Sequence, residues 1–238
     1  MKLDMLAIAA HPDDAELSCS GTLASHVAKG YKVGILDLTR GEMGTRGTPE
    51  LRIKEAGKAA EILNLSMREN LGFQDVYFKD DKEHQIAIAR VLRTYRPEIV
   101  LANAVSDRHP DHGKGGSLAS HACFVSGLRK LETEKDGKPQ EAWRPKFIYH
   151  YIQNNYIEPD LVVDISSHWE TKINSILAFQ SQFYNPDSKE PESFISRPDF
   201  LDFIEARSRE MGHKINVKYG EGFTVERVTG VSDLFDLL

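Results

Sequence analysis

The chain has 238 residues, of which 40% are hydrophobic and 28% are charged, and this balance is typical of a folded domain rather than a disordered chain. The formal net charge of −6 argues against a nucleic-acid partner, which requires a basic surface, and the sequence lacks the roughly 20-residue apolar run of a membrane span. Met5–Ala10 is too short for a signal peptide, and Cys19 and Cys123 form no CxxC pair. We therefore expect a reduced, cytoplasmic protein.

The first 130 residues alternate between short apolar runs and segments of helical periodicity. This alternation predicts strands over 3–10, 32–39, 70–73 and 98–104, and helices over 15–29, 49–64, 83–95 and 113–128. Nearly continuous apolar strands are typical of a parallel sheet that is covered on both faces. The sequence therefore predicts an α/β fold with a doubly wound, mostly parallel sheet, helices on both faces and strand order 3-2-1-4.

The remaining residues are expected to extend the same single domain over 1–238, with the site carried by 1–130. The patterns predict a polar surface loop over 132–144 and a flap or linker over 184–197, where Pro186 and Pro191 interrupt a polar segment. Further strands are predicted over 146–153, 161–165 and 222–228, and further helices over 168–179 and 198–211.

Two acidic histidine motifs directly follow predicted strands one and four. They are His11-Pro12-Asp13-Asp14 and His109-Pro110-Asp111-His112. In a 3-2-1-4 sheet these two strands are neighbours, and ligands bind at their carboxyl ends, where the chain direction switches. Two histidines and a carboxylate can hold one metal ion, and the remaining groups can transfer protons, which is the equipment of a metal-assisted hydrolase.

The residue types suggest a role for each member of the motifs. His11, Asp14 and His112 are the candidate metal ligands, and Asp13 is the candidate general base. A structural alternative is that one aspartate merely caps the next helix, but capping explains neither the second aspartate nor the histidine. Shared coordination requires the imidazoles of His11 and His112 to lie within about 5 Å of each other.

The second motif leaves one imidazole free of the metal. His109 can protonate a leaving amine or stabilise an oxyanion, and Asp111 can orient it. Among the other histidines, His150 lies in a predicted strand and can approach the pocket. The rest stand alone in helical or surface contexts and are expected to be packed or solvated; they are His26, His84, His121, His168 and His213.

The loop after strand two is the candidate substrate-binding segment. It contains three glycines but neither GxGxxG nor GxxxxGK[ST], so it gives little support for nucleotide binding. Arg46 is expected to be exposed over the crevice, and Arg52 begins the next helix. Because a guanidinium binds a carboxylate through two parallel hydrogen bonds, one or both arginines can hold a substrate carboxylate.

The segments AHPDDAE (10–16), Gly21-Thr22 and DRHPDHG (107–113) resemble those of the PIG-L/LmbE-like family of zinc-dependent N-acetylglucosamine deacetylases. The loop GEMGTRGTPELR (41–52) and the segment YGEGF (219–223) are similar to the bacillithiol-pathway branch, which acts on N-acetylglucosaminyl malate. Ser18-Cys19-Ser20 departs from the apolar or glycine residues that relatives often carry there, and Cys19 is expected to pack under the site.

This resemblance implies a Rossmann-like fold and an assignment of each site residue. Zinc would be held by His11, Asp14 and His112, with Fe²⁺ as the alternative metal, and Asp13 would be the general base. His109 would act on the leaving nitrogen or the oxyanion, supported by Asp111. The resemblance further implies that Arg46 binds the malate carboxylate and that the binding partner is a small amino-sugar molecule. It also implies that the protein is a homo-oligomer, specifically a hexamer.

Three other functions fit part of the pattern. An amidase of thiol–sugar conjugates would use the same chemistry. A non-haem iron oxygenase also uses two histidines and one carboxylate, although a separate base and this α/β pattern disfavour it. A non-catalytic sugar-binding protein would have no use for proton-transfer residues beside metal ligands.

Overall fold

The computed structural model describes residues 1–236 and confirms the predicted α/β class. The strands and helices follow in the order β1 (Met5–Ala9), α1 (Asp14–Ala28), β2 (Val33–Thr39), α2 (Pro49–Ile62), β3 (Met67–Phe73), α3 (Lys82–Tyr95), β4 (Ile99–Ala102), α4 (Pro110–Ser126), β5 (Glu134–Lys135), β6 (Lys138–Pro139), β7 (Phe147–Tyr151), β8 (Leu161–Asp164), α5 (Trp169–Leu177), α6 (Phe200–Lys214) and β9 (Gly220–Val225).

The main sheet has seven strands in the order β3-β2-β1-β4-β7-β9-β8. The first five strands in this order are parallel to their neighbours, so the predicted 3-2-1-4 arrangement is confirmed. β9 runs antiparallel between β7 and β8. The carboxyl ends of β1 and β4 therefore lie side by side, and each leads into one of the histidine motifs.

Both faces of the sheet are covered, because alternate residues of the central strand β1 enter two different cores. Leu6 and Ile8 pack with side chains of α3 and α4, whereas Met5, Ala7 and Ala9 pack with side chains of α1. A third cluster joins α2, α5 and α6. Every residue of β1 and β2 is buried, which explains why these strands are easy to recognise in the sequence.

Several boundaries differ from the sequence prediction for identifiable reasons. β3 begins at Met67 rather than at residue 70. The prediction missed its first residues because they include the charged Arg68, which the strand accommodates through ion pairs with Asp37 and Glu16. α4 begins at Pro110 rather than at residue 113, with the proline as its first residue. The predicted loop 132–144 contains the short antiparallel pair β5–β6, and β9 begins two residues before the predicted strand.

The described helices also test the prediction about membranes. None of the helices within residues 1–236 is long and apolar enough to cross a membrane.

Candidate metal centre and active site

The three predicted metal ligands meet at the carboxyl ends of β1 and β4. Asp14, the first residue of α1, has one carboxylate oxygen 3.5 Å from Nδ1 of His11 and the other 3.0 Å from Nε2 of His112. Nitrogens of His11, His109 and His112 lie within 4.8 Å of one another, although the ring centres of His11 and His112 are 5.7 Å apart. Because a metal is bound through the nitrogen atoms, the distance that shared coordination requires is met.

Asp14 is fixed by neutral donors as well as by the two imidazoles. Its Oδ2 atom accepts hydrogen bonds from the backbone amide of His11 and from Asn103, each at 3.0 Å, and Oδ1 accepts one from Gln153 at 3.3 Å. Burial alone would raise the pKa of Asp14, but the neighbouring His112 and the hydrogen bonds from both histidines hold that pKa well below its ordinary value. Asp14 is therefore ionised and held in a fixed orientation, as a metal ligand must be.

In each candidate ligand histidine, the ring nitrogen farther from Asp14 contacts another carboxylate. Nδ1 of His112 lies 2.9 Å from Asp107, and Nε2 of His11 lies 3.0 Å from Asp75 and 3.4 Å from Asp111. Carboxylates in this position fix the orientation of metal-ligating imidazoles and increase their basicity. The sequence reasoning missed both Asp75 and Asp107.

The protonation of the two histidines reflects these carboxylates. Burial would lower the pKa of His11, but hydrogen bonds to Asp111, Asp14 and Asp75 raise it well above its ordinary value. For His112, burial again would lower the pKa, but Asp14 and Asp107 raise it to about 9. The acidic surroundings therefore favour positive charge on both sides of Asp14.

These residues fit a divalent metal such as zinc. Two imidazoles and a carboxylate make up the donor set of an open catalytic zinc site, and the same set also accepts Fe²⁺. A second group of ligand-type atoms, from His11, Asp75 and Asp111, overlaps the first through His11. Since these two carboxylates contact the far nitrogen of His11, we interpret them as supports of the ligand rather than as a second metal site.

Asp13 lies beside the ligands and has an unusual backbone. Its φ of 109° is in the left-handed region, which costs a residue other than glycine about 1–3 kcal/mol. Its side chain does not cap α1. Instead, it accepts a hydrogen bond from Arg52 at 2.7 Å. Burial raises the pKa of Asp13 to about 7, even though Arg52 acts in the opposite direction. The carboxyl group is thus suited to accept a proton near neutral pH.

His109 precedes α4 and stands apart from the carboxylates that hold the other two imidazoles. Its Nδ1 atom accepts a hydrogen bond from the backbone amide of Asp111 at 3.3 Å, so the neutral ring carries its proton on Nε2. Burial and the neighbouring His11 and His112 lower the pKa of His109. A neutral His109 can therefore donate a hydrogen bond from Nε2.

The carboxylate of Asp111 is not placed as the sequence suggested. We expected it to orient His109, but it contacts His11 and lies 2.8 Å from Nζ of Lys114, and it accepts a hydrogen bond from the amide of Val76. Asp111 lies in the first turn of α4, where its carboxylate is beside His11 and Lys114 rather than the ring of His109.

The pocket in front of these residues has a volume of about 340 Å³. Arg46 lines it but is only 5% exposed, so the expectation of an exposed side chain is wrong: the loop folds inward, and the guanidinium lies 3.8 Å from Glu190. Arg52 is also buried, and it donates hydrogen bonds to Asp13 and to the carbonyl of Pro12. The predicted flap 184–197 contributes Phe194 and Ile195 to the pocket wall.

Three other residues near the site do not line the pocket. His150 is buried but is not among the pocket-lining residues, because its ring lies between the carbonyl of Asn103 and the carboxylate of Glu226. Glu16, in the first turn of α1, is fully buried and pairs with Arg68. Cys19, itself a residue of α1, packs in the core with side chains of β1.

Comparisons with known proteins identify the family. A family model described as PIG-L, GlcNAc-PI de-N-acetylase, matches residues 6–123. The diacetylchitobiose deacetylase of Thermococcus kodakarensis is 31% identical over 192 residues, covering 75% of this chain and 70% of that protein. The 4-oxalmesaconate hydratase of Pseudomonas putida is 28% identical, covering 74% and 73%. A crystal structure of a conserved protein from Thermus thermophilus is 39% identical with a TM-score of 0.85, covering 97% and 98%. The chain therefore belongs to the PIG-L family of LmbE-like deacetylases and is an enzyme of the N-deacetylase type of hydrolase.

Proposed function

We propose that this enzyme is a zinc-dependent deacetylase of an N-acetylglucosamine conjugate that carries a carboxylate, with N-acetylglucosaminyl malate of the bacillithiol pathway as the candidate. The observation that carries the proposal is the placement of Asp14 between His11 and His112, with Asp13 beside them. Zinc in such a site acts as a Lewis acid that polarises a carbonyl and makes water a nucleophile near neutral pH.

The chain's own residues supply the proton transfers. Asp13 accepts the proton of the attacking water, and Arg52 holds the Asp13 carboxylate in place. His109 donates a hydrogen bond from Nε2 to the oxygen on which negative charge develops. The amide bond then breaks, Asp13 returns the proton to the amine nitrogen, and the products are acetate and a free glucosamine conjugate.

Arg46 supports a substrate that carries a carboxylate. Its Nε atom is buried and has no hydrogen-bond partner among the described residues, and its distance of 3.8 Å to Glu190 is too long for a hydrogen bond. An unpaired buried donor is costly, so a ligand carboxylate would satisfy it. Arg52 also has a buried Nε atom without a partner among the described residues, but it is a weaker candidate for this role because Asp13 and Pro12 already accept hydrogen bonds from its guanidinium. The name of the deacetylase relative supports an N-acetylated sugar.

The test is acetate release by the purified, zinc-loaded protein. The panel contains N-acetylglucosamine, its methyl glycoside, diacetylchitobiose and N-acetylglucosaminyl malate, and the zinc content of the same sample is measured. We expect acetate and free amine in equal amounts, with the highest kcat/KM for the malate conjugate. Asp13→Asn should retain zinc and lose at least about a hundredfold in kcat. Failure of the zinc-loaded wild type to release acetate from any member of the panel would contradict the proposal.

A second candidate is the addition of water to an unsaturated carboxylate. The observation that favours it is the arginine-lined pocket, together with a relative named as a hydratase. Arg46 could hold a carboxylate of either substrate. Loss of the substrate's conjugated absorbance, without acetate release from any sugar, would establish this second function.

Cytoplasmic location and hexameric assembly stay predictions. A measurement of the molecular mass in solution tests the assembly.

A further inference from the structure

Lys172 and Glu221 form a buried ion pair in the pocket wall, and the chemistry described above does not use it. Lys172 lies on α5 and Glu221 on β9, and their side chains are 1% and 3% exposed. Their nitrogen and oxygen atoms are 2.7 Å apart. Buried charges are costly unless every donor and acceptor has a partner, so the remaining partners of the pair indicate what it does.

Those partners are main-chain groups of α1. Nζ of Lys172 donates to the carbonyl oxygens of Glu16 at 3.2 Å and Leu17 at 2.8 Å. The carboxylate of Glu221 accepts hydrogen bonds from the amides of Gly21 at 3.0 Å and Thr22 at 2.7 Å. In an α-helix, the Leu17 carbonyl and the Gly21 amide are partners of each other. The ion pair thus gives a charged partner to both ends of one hydrogen bond of α1.

Gly21 permits the close approach of α1 to the segment that leads into α5. A Cβ atom at that position would lie 2.8 Å from the side chain of Ile165, which lies between β8 and α5. Without a side chain at residue 21, the segment leading into α5 packs directly against α1. This packing gives a role to two sequence features that the metal site leaves unexplained, namely Gly21-Thr22 and the glutamate of YGEGF.

We propose that Lys172 and Glu221 are positioning residues that hold α1 so that Asp13 and Asp14 are correctly placed. Their contacts with α1 begin at Glu16, less than one helical turn from Asp14. Asp13, directly before the helix, has a strained backbone, and such a conformation persists only when the surrounding structure fixes it. The turnover part of this inference rests on the proposed function, whereas the metal-binding part does not.

The test compares variants of the full-length protein. Lys172→Met combined with Glu221→Leu removes both charges together, which avoids leaving one buried charge unpaired. The matched control is Arg93→Met, because Arg93 is also a buried cation that donates to main-chain carbonyls, at the end of α4 and away from the pocket. Three quantities are measured on each folded protein: the zinc dissociation constant by competition with a chromophoric chelator, kcat and KM for acetate release, and the midpoint of urea unfolding.

For the double variant we expect zinc affinity to fall at least about tenfold, as it does when groups that orient metal ligands are removed. We also expect kcat to fall at least about tenfold, with KM within about threefold. Arg93→Met should lower the unfolding midpoint and keep zinc affinity and kcat within about twofold. A folded double variant with wild-type zinc affinity and kcat would overturn the proposal.

Two further results remain informative. If the double variant does not fold, Glu221→Asp replaces it: the charge is kept, but the shorter side chain cannot reach both amides. We expect a smaller loss of zinc affinity there, and wild-type affinity would overturn the proposal. If the double variant loses zinc affinity while the wild type releases no acetate, the positioning role is supported and the proposed function is wrong.

Discussion

Replacing Arg52 by methionine separates two roles that the pocket allows for this residue. If Arg52 binds the substrate carboxylate, its loss should raise KM only for substrates that carry one. If it holds Asp13, as its hydrogen bonds at 2.7 Å to Asp13 and 2.6 Å to the Pro12 carbonyl indicate, its loss should lower kcat for every substrate. Methionine keeps most of the side-chain volume, so the change is mainly one of charge and hydrogen bonding.

The size of the effect follows from the burial of the pair. The side chains of Arg52 and Asp13 are each 6% exposed, and removing one partner of a buried ion pair costs about 3–5 kcal/mol. If about 3 kcal/mol of that cost falls on the transition state, kcat decreases roughly a hundredfold, since each 1.36 kcal/mol is a factor of ten. The same guanidinium also donates to the Pro12 carbonyl, which precedes the strained backbone of Asp13. Loss of Arg52 therefore removes support from this backbone as well, which should lower kcat further.

The assay measures kcat and KM for acetate release with N-acetylglucosaminyl malate and with the uncharged methyl glycoside. We expect Arg52→Met to lower kcat about equally for both substrates. Arg46→Met is the matched variant, and it should raise KM for the malate conjugate about tenfold or more while kcat for the glycoside stays within about twofold. An Arg52→Met enzyme with wild-type kcat, and with KM raised only for the malate conjugate, would refute the assignment of Arg52 to Asp13.

Three further predictions concern the metal and stability. Asp75→Asn should weaken zinc binding by about 10- to 100-fold in chelator competition while leaving the far-ultraviolet circular dichroism unchanged, because Asp75 contacts the far nitrogen of His11. Chelator treatment should abolish acetate release and lower the thermal midpoint, and added zinc should restore both, since the metal binds only the folded protein. Burial lowers the pKa of His26, so the unfolded chain binds a proton at this residue more readily than the folded chain does. The contribution of His26 to the free energy of unfolding should therefore be fully present above its unfolded pKa of about 6.5 and decline as the pH falls below that value. The difference in unfolding free energy between the wild type and His26→Gln, measured in urea from pH 5 to 8, should therefore change with pH below about 6.5, and a constant difference would contradict this reasoning.

The sequence predicts the scaffold of the site because its strongest signals are local. β1 and β2 are buried along their whole length, so their apolar runs mark them, and a parallel sheet places successive strand ends at one edge. The first motif begins at His11, just after β1, and the second begins at His109, in the loop between β4 and α4. The convergence of His11 and His112 follows from strand order alone, without any knowledge of side-chain packing.

The partners of these residues could not be derived in the same way. Asp75 contacts His11 across 64 positions of sequence, and a single aspartate in a loop has no pattern that marks it. One signal was available: Asp75 follows β3, whose carboxyl end lies at the same edge of the sheet. The start of β3 was missed because an arginine in a sequence usually indicates a surface position, whereas Arg68 is buried by its ion pair with Asp37.

The distribution of charge explains why the site suits a cation better than a neutral ligand. Asp14 contacts both candidate ligand histidines, and Asp75 and Asp111 contact His11, so several carboxylates share a region that excludes most water. Buried carboxylates remain ionised only when positive charge or hydrogen-bond donors lie close to them. In the protein without metal, the raised pKa values of His11 and His112 supply that charge through protons. A divalent ion supplies the same charge at the same place, so the acidic residues around the histidines favour metal binding as well as orienting the ligands.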